Sequence, residues 1–243
     1  MSGAGKLFGV GVGPGDPELL TLKAARIVRE APVAAYFAKT GETGHARRIA
    51  DACLGPDTEE LRFDYPYTTE IPKRSASYRD ALTSLYDRAA EDVGAVLEDG
   101  RDVALLCEGD PLFYGSFMYV NDRLASRFDI EVVPGVTAMS ACWSRAGRPM
   151  ARGDDCISVL AGTMEEDALL RRLRAADAAV VMKVGRHLPK IRRALDRAGL
   201  LDRAVLVERG SMAEERIVPV ADCRAGEAPY FSLVLVPTAR TAS

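Results

Sequence analysis

The feature that most constrains the fold is a glycine-rich stretch near the start of the chain, LFGVGVGPGDPELLTLK from Leu7 to Lys23. Its apolar opening predicts a strand, and the residues after Asp16-Pro17-Glu18 predict a helix with Thr21 as its cap. Glycines at this density allow the backbone to approach a ligand or another backbone segment closely. The stretch therefore predicts a tight turn between a strand and a helix, with or without a ligand.

The spacing of these glycines argues against a nicotinamide dinucleotide site. Such a turn reads G-x-G-x-x-G, but Gly11 and Gly13 are followed by Asp16 where the third glycine belongs. The next predicted strand, Val33 to Phe37, ends in Ala38-Lys39 and offers no acidic residue for a ribose. A nicotinamide-dependent oxidoreductase is therefore an alternative that the pattern does not favour.

Composition and charge limit the classes of protein to which this chain can belong. The 243 residues are enough for one large domain or two, and the net charge of −3 gives no bias toward nucleic acid. No apolar run approaches the ~20 residues of a membrane span, so we expect a cytoplasmic protein with no nucleic-acid or membrane partner. The five cysteines never form C-x-x-C, and there are two histidines, so we expect neither a disulfide framework nor a metal site.

Strand, turn and helix alternate along most of the chain, which is typical of an α/β fold with a largely parallel sheet. Val103 to Cys107 is apolar throughout, like a buried parallel strand. The turn-rich, basic stretch Gly147 to Gly153 predicts two α/β domains, over residues 1–146 and 147–243. Arg216 to Val220 and Tyr230 to Val236 have no helix between them, so they predict an antiparallel edge.

Unusual loops follow four of the predicted strands: Gly11–Asp16, Glu108–Gly115, Pro134–Ala138 and Glu208–Met212. Ligands of open α/β sheets bind at the carboxyl ends of the strands. Four such loops, drawn from both halves of the chain, predict a shared cleft better than four independent turns. A non-catalytic binding or assembly module, which is another alternative, would not need them.

Six motifs carry a family resemblance, and they occur in the order GVGPGDPELLT, CEGDPLFYGS, VVPGVTA, VMKVG, VERGS and PYFSLVLV. Together they resemble the tetrapyrrole methylases, which use S-adenosylmethionine (SAM) in corrin and sirohaem biosynthesis. The resemblance spans nearly the whole chain. It implies two α/β domains with the active site between them, a homodimer, and S-adenosylhomocysteine as a product.

Two stretches resemble one branch of that family. GDPLFYGSFMYV and the segment from Tyr65 to Leu82 are similar to members that methylate carbon C20 of precorrin-2, rather than to the sirohaem branch. The resemblance thus implies C20 methylation in cobalamin biosynthesis. The sequence leaves open whether the substrate is metal-free or the cobalt-containing form of the anaerobic route, and the lack of a His-rich loop leans toward the metal-free form.

The resemblance also implies roles for particular residues. SAM would be bound by Gly109, Asp110, Phe113, Thr137, Ala138, Met182, Gly210 and Ser232. Taken alone, Met182 would be a core residue and Ser232 an ordinary strand residue. The loop residues Gly13, Pro14 and Gly15 would face the tetrapyrrole, and Asp16 is either a general base or the cap of the following turn.

The substrate of this family carries many carboxylates, so a chain of net charge −3 must concentrate cations where the substrate binds. Arginine is suited to paired contacts with carboxylates. The candidates are Lys73, Arg74, Arg148, Arg152 and Lys183, each of which could instead be a solvated surface charge. A sulfonium already activates its methyl group, so the reaction needs neither a metal nor a nucleophilic side chain, only an in-line arrangement in a dry site.

Overall fold

The computed structural model describes residues 3–66, 76–223, 226 and 228–239. The chain divides into two compact units, Met1–Thr137 and Ala138–Ser243. Each unit contains a five-stranded sheet with helices packed on it, which confirms the predicted α/β class. The helix Ala138–Arg145 belongs to the second unit, whereas the sequence analysis placed it ahead of the domain boundary.

The first unit contains a sheet in the order β3-β2-β4-β1-β5, and every neighbouring pair is parallel, as predicted. Its strands are β1 (Leu7–Gly11), β2 (Val33–Lys39), β3 (Glu59–Tyr65), β4 (Val103–Cys107) and β5 (Ile130–Val133). Its helices are α1 (Leu22–Glu30), α2 (His45–Ile49), α3 (Ala76–Glu98) and α4 (Phe117–Leu124). Because β1 lies between β4 and β5, the carboxyl ends of these three strands are adjacent.

Helices cover both faces of this sheet. On one face, α3 and α4 bury residues such as Val93 and Phe117. On the other face, α1 and α2 bury residues such as Val28 and Ile49. Strand β4 is buried at all five of its positions, which explains why its sequence VALLC is apolar throughout.

Local chemistry sets the ends of two helices. Thr21 Oγ1 accepts a hydrogen bond from the backbone N–H of Ala24 at 3.1 Å, so Thr21 caps α1 as predicted. The helix α4, which follows the loop after β4, begins only at Phe117, three residues beyond Tyr114. The reason is that Tyr114 has a left-handed φ of 61°, which a helix cannot contain.

The second unit contains a mixed sheet in the order β6-β7-β10-β8-β9. Its strands are β6 (Ile157–Ala161), β7 (Ala178–Met182), β8 (Val205–Glu208), β9 (Arg216–Pro219) and β10 (Ser232–Val236), and its helices are α5 (Ala138–Arg145), α6 (Glu166–Ala175) and α7 (Leu188–Ala198). β9 is the predicted antiparallel edge. β10 instead lies in the middle of the sheet, antiparallel to both β7 and β8, and all five of its residues are buried there.

The two faces of the second sheet carry different helices. α6 and α7 bury residues such as Leu169 and Ile191 on one face, while Cys142 and Trp143 of α5 pack on the other against Val180. Within the described ranges, no helix combines the length and the apolar character that crossing a lipid bilayer requires.

Candidate functional site

Backbone hydrogen bonds join the loops that follow β1 and β4. The N–H of Val12 donates to the carbonyl of Cys107 at 2.9 Å, and the N–H of Gly109 donates to the carbonyl of Gly13 at 2.7 Å. Gly13 and Gly109 have φ values of 83° and 66°, in the region that favours glycine. The two loops therefore meet backbone to backbone at the carboxyl edge of the sheet.

A third loop, after β5, packs into the same place. A Cβ added to Gly135 would lie 2.0 Å from the carbonyl oxygen of Gly109, and one added to Gly11 would lie 2.6 Å from the nitrogen of Gly135. No side chain fits at either position. Of the two uses predicted for the glycine-rich stretch, Gly11 serves the approach of backbone to backbone. Sequence reasoning placed Gly135 in the loop Pro134–Ala138 but did not identify its partner.

Asp110 fastens the loops after β4 and β5 to each other. Its Oδ1 accepts from the N–H of Leu112 at 2.9 Å, and its Oδ2 accepts from the N–H of Gly135 at 3.1 Å. Each carboxylate oxygen retains a further lone pair. Asp110 is thus held in place, and the half-buried ring of Phe113 follows it in the same loop, edge-on to the ring of Tyr114 at 5.1 Å between centroids.

Asp16 caps the short helix that follows it. Its Oδ1 accepts from the backbone N–H of Glu18 at 2.9 Å, at the head of the short helix Pro17–Leu19. This is the second of the two roles considered for Asp16. The preceding residue Gly15 is half-buried, and Pro14 is buried.

Glu108, at the end of β4, is a titratable group that sequence reasoning missed. Loss of hydration beside the surrounding protein atoms raises the pKa of Glu108 to about 7, although the residue as a whole is exposed to solvent. A hydrogen bond from the backbone N–H of Ala46 and the charge of Arg48 act on the pKa in the opposite direction and are smaller effects. An acidic residue directly after an all-apolar strand was the available signal.

In the second unit, several of the predicted site residues gather around α5. Ala138 and Met182 are half-buried and pack against a core that includes Cys142. Gly210 lies against the same helix, because a Cβ there would be 2.5 Å from the sulfur of Cys142. Thr137, the last residue of the first unit, is half-buried and directly precedes the helix in the chain.

Ser232 begins β10, opposite Glu208 of β8. Only 3% of Ser232 is exposed, and its hydroxyl oxygen has no hydrogen-bond partner among the described residues. A buried hydroxyl without a partner is costly, so an unexplained one indicates a missing polar group. The loops near it contain non-glycine residues with left-handed φ values, 56° at Lys183 and 49° at Arg209, a kind of strain that clusters at functional sites.

The predicted substrate-binding cations have different environments. Arg152 is half-buried, and its Nε is buried without a hydrogen-bond partner in the described part of the chain. Arg148 and Lys183 are exposed. Lys73 and Arg74 lie outside the described residues.

Comparisons with known proteins agree in one family. The model of the Tetrapyrrole (Corrin/Porphyrin) Methylases matches residues 6–223. The chain is 57% identical to a precorrin-2 C(20)-methyltransferase of Sinorhizobium sp over 97% of this chain and 96% of that protein. It is 29% identical to the cobalt-precorrin-2 C(20)-methyltransferase of Salmonella typhimurium, over 96% of each chain.

A solved structure extends the comparison to the fold. The uroporphyrin-III C-methyl transferase of Thermus thermophilus, complexed with S-adenosylhomocysteine, superposes with a TM-score of 0.64 at 29% identity and covers 95% of this chain and 97% of that one. The sequence match and the shared fold both run through nearly the whole length of the protein. The chain therefore belongs to the tetrapyrrole (corrin/porphyrin) methylases.

Proposed function

We propose that this chain is a SAM-dependent C-methyltransferase that methylates C20 of precorrin-2 to give precorrin-3A in cobalamin biosynthesis. The observation that carries the proposal is the 57% identity, over nearly the full length of both chains, to a relative that bears this activity in its name. The stretch GDPLFYGSFMYV, which resembles the C20-methylating branch, agrees with this activity.

The residues present fit SAM as the methyl donor. Asp110 keeps lone pairs for an ammonium or hydroxyl group, and the Ser232 hydroxyl is buried without a partner among the described residues. The donor-binding set that we propose is Gly109, Asp110, Phe113, Thr137, Ala138, Met182, Gly210 and Ser232. SAM supplies a methyl group activated by its sulfonium, so these residues need only bind and orient it.

Positive charge is proposed to hold the tetrapyrrole by its carboxylates. Arg152 is the best-supported contact, because its buried Nε has no partner in the described ranges and a carboxylate would supply one. Lys73, Arg74, Arg148 and Lys183 complete the set of cations, while Gly13, Pro14 and Gly15 face the macrocycle. Since the net charge of the chain is −3, these contacts depend on local rather than overall charge.

The work of this chain in the reaction is to orient and to exclude water. The C20–methyl bond forms as the sulfur–methyl bond breaks, and the C20 proton must then leave. We propose Asp16 as the acceptor of that proton. Its Oδ1 is engaged by the N–H of Glu18, whereas Oδ2 makes no hydrogen bond within the described residues and would take up the proton.

Two further proposals follow from family membership. We propose that the enzyme works as a homodimer and that it is cytoplasmic, with the small tetrapyrrole as its binding partner. Sedimentation of the purified protein, with and without S-adenosylhomocysteine, tests the first of these. A monomer under both conditions would contradict it.

The cobalt-containing form of precorrin-2 is the second candidate substrate. The identity is 57% to the precorrin-2 enzyme and 29% to the cobalt-precorrin-2 enzyme, which favours the metal-free substrate. The deciding experiment gives each substrate to the purified protein with ¹³C-methyl-labelled SAM and locates the label by NMR. We expect label at C20 of the metal-free substrate; label at another carbon, or turnover of only the cobalt form, would contradict the proposal.

A cheaper measurement separates the proposal from an oxidoreductase. S-adenosylhomocysteine is expected to raise the Tm of the protein, because a ligand that binds only the folded state stabilises that state. NAD is not expected to change the Tm. The reverse pattern would favour the oxidoreductase.

A further inference from the structure

Two tyrosine hydroxyls of the first unit converge on Ser116, where the loop after β4 ends. The hydroxyl oxygen of Tyr65 lies 2.5 Å from Ser116 Oγ, and that of Tyr86 lies 3.2 Å from it. Tyr65 is the last residue of β3, Tyr86 lies on α3, and Ser116 directly precedes α4. One serine side chain thus connects three elements that are distant in sequence.

Aromatic packing fixes the positions of both tyrosine rings. The ring of Phe37 stacks on Tyr65 at 5.5 Å and meets Tyr86 edge-on at 5.6 Å between centroids. Tyr86 also stacks on Tyr119 of α4 at 4.5 Å. Because the rings are already ordered, their hydroxyls lose little further freedom when they bond to Ser116.

The hydrogen bonds of the Ser116 side chain differ from those expected of a serine that directly precedes a helix. A serine that precedes a helix usually accepts from an N–H of the first turn. Here the backbone of Ser116 is helical, with φ −71° and ψ −18°, and its side chain makes no such capping bond within the described residues. The hydroxyl is used for contacts with β3 and α3 instead.

The loop that ends at Ser116 is also fixed at its other end. Gly109 is bonded to Gly13, and Asp110 is bonded to Gly135. Between the ends, Gly115 packs so closely on Pro111 that a Cβ there would lie 2.6 Å from the Pro111 carbonyl oxygen. Loss of the Ser116 contacts would therefore free one end of an otherwise compact loop.

We propose that Tyr65, Tyr86 and Ser116 are positioning residues that hold the loop of residues 109–116 in the conformation that binds the methyl donor. The inference rests on the proposed function, which assigns Gly109, Asp110 and Phe113 to that donor. A loop ordered in advance binds more tightly, because less conformational freedom is lost on binding.

Calorimetric binding of S-adenosylhomocysteine to the full-length protein tests the proposal. Tyr65→Phe is expected to weaken binding about fivefold, the effect of one hydrogen bond, and Ser116→Ala, which removes the bonds to both tyrosines, by at least as much. Ser116→Thr, which keeps the hydroxyl, should recover much of the affinity. The double variant Tyr65→Phe/Ser116→Ala should bind no more weakly than Ser116→Ala, since Ser116→Ala already removes the bond to Tyr65. Tyr36→Phe is the matched control, because it removes a hydroxyl bond to Glu60 at 2.8 Å, away from the loop.

Hydrogen exchange of the ligand-free protein gives a readout that does not depend on the donor. Peptides covering residues 109–116 should exchange faster in Tyr65→Phe and Ser116→Ala than in the parent or in Tyr36→Phe. Unchanged exchange and affinity in both variants, or an equal effect in the control, would overturn the proposal. A parent that fails to bind S-adenosylhomocysteine contradicts the proposed function instead, and the exchange data still decide whether the hydroxyls hold the loop.

Discussion

At the scale of residues, the stability of the protein depends on the absence of a side chain at Gly135. In Gly135→Ala the new Cβ would collide with the carbonyl oxygen of Gly109, at 2.0 Å, and the backbone would have to move. We expect a loss of about 3 kcal/mol or more in unfolding free energy and a fall in Tm of roughly 6–12 °C. Thermal unfolding followed by circular dichroism measures it.

Gly41→Ala is the control for this prediction. Gly41 has a φ of 80° but no atom within 4 Å of an added Cβ, so its replacement costs only the left-handed strain, about 1 kcal/mol. Equal Tm values for the two variants would contradict the argument that collision, rather than backbone conformation, requires glycine at position 135.

Single residues also mark the limit of what the sequence predicted about the site. The stretch around Gly11 was recognised as a place where backbone segments approach closely. Its partner, Gly135, lies far along the chain, and no local sequence pattern predicts that contact. The capping role of Asp16 was foreseen because it depends on the N–H of Glu18, two residues away. The hydroxyl cluster at Ser116 depends on packing between three elements and was not foreseen.

At the scale of elements, β4 ends in a carboxylate that makes the stability of the protein depend on pH. The carboxylate of Glu108 loses hydration among the surrounding protein atoms, which disfavours its charged form. The backbone N–H of Ala46, in the first turn of α2, opposes this effect without cancelling it. The dependence on pH therefore has a defined direction.

The pKa of Glu108 rises from 4.5 to about 7 on folding, so between these pH values the folded protein binds this proton more tightly than the unfolded chain does. The stabilising contribution of the protonated form is complete below pH 4.5 and is lost as the pH rises through about 7. We therefore expect the Tm of Glu108→Gln, relative to the parent, to increase from pH 5 to pH 8. Scanning calorimetry across that range measures it.

Glu131→Gln is the control, because ion pairs with Lys23 and Lys6 hold the pKa of Glu131 at about 2. The stabilising effect of its charge is present above pH 4.5 and lost only as the pH falls toward 2, so its Tm difference from the parent should stay constant from pH 5 to pH 8. A Glu108→Gln variant whose Tm runs parallel to that of the parent would show that the carboxylate titrates normally.

The arrangement of strands was harder to predict than their existence. The all-apolar strand β4 was identified with its observed bounds, since burial on both faces leaves a plain pattern. β10 was expected near an antiparallel edge, yet it lies between β7 and β8. Which strands become neighbours is decided by how the two faces are covered in three dimensions, and local periodicity does not contain that information.

At the scale of the whole molecule, the alternation of strands and helices was sufficient to predict the α/β class. The net charge raises a separate question, because a chain of −3 is proposed to bind a substrate rich in carboxylates. Such binding requires a few cations that act locally and are partly shielded from bulk water. Arg152 meets this condition best, since its Nε is buried.

Arg152→Ala is expected to raise the KM for precorrin-2 about tenfold, the effect of one hydrogen bond to a charged group, and to change the KM for SAM by less than about twofold. Arg148→Ala should have a smaller effect, because Arg148 is exposed and its charge is screened.

Arg26→Ala is the control, since its guanidinium pairs with Glu30 on the surface of α1. Initial rates with both substrates varied measure each value, and an unchanged KM for precorrin-2 in both Arg152→Ala and Arg148→Ala would remove them from the substrate-binding set.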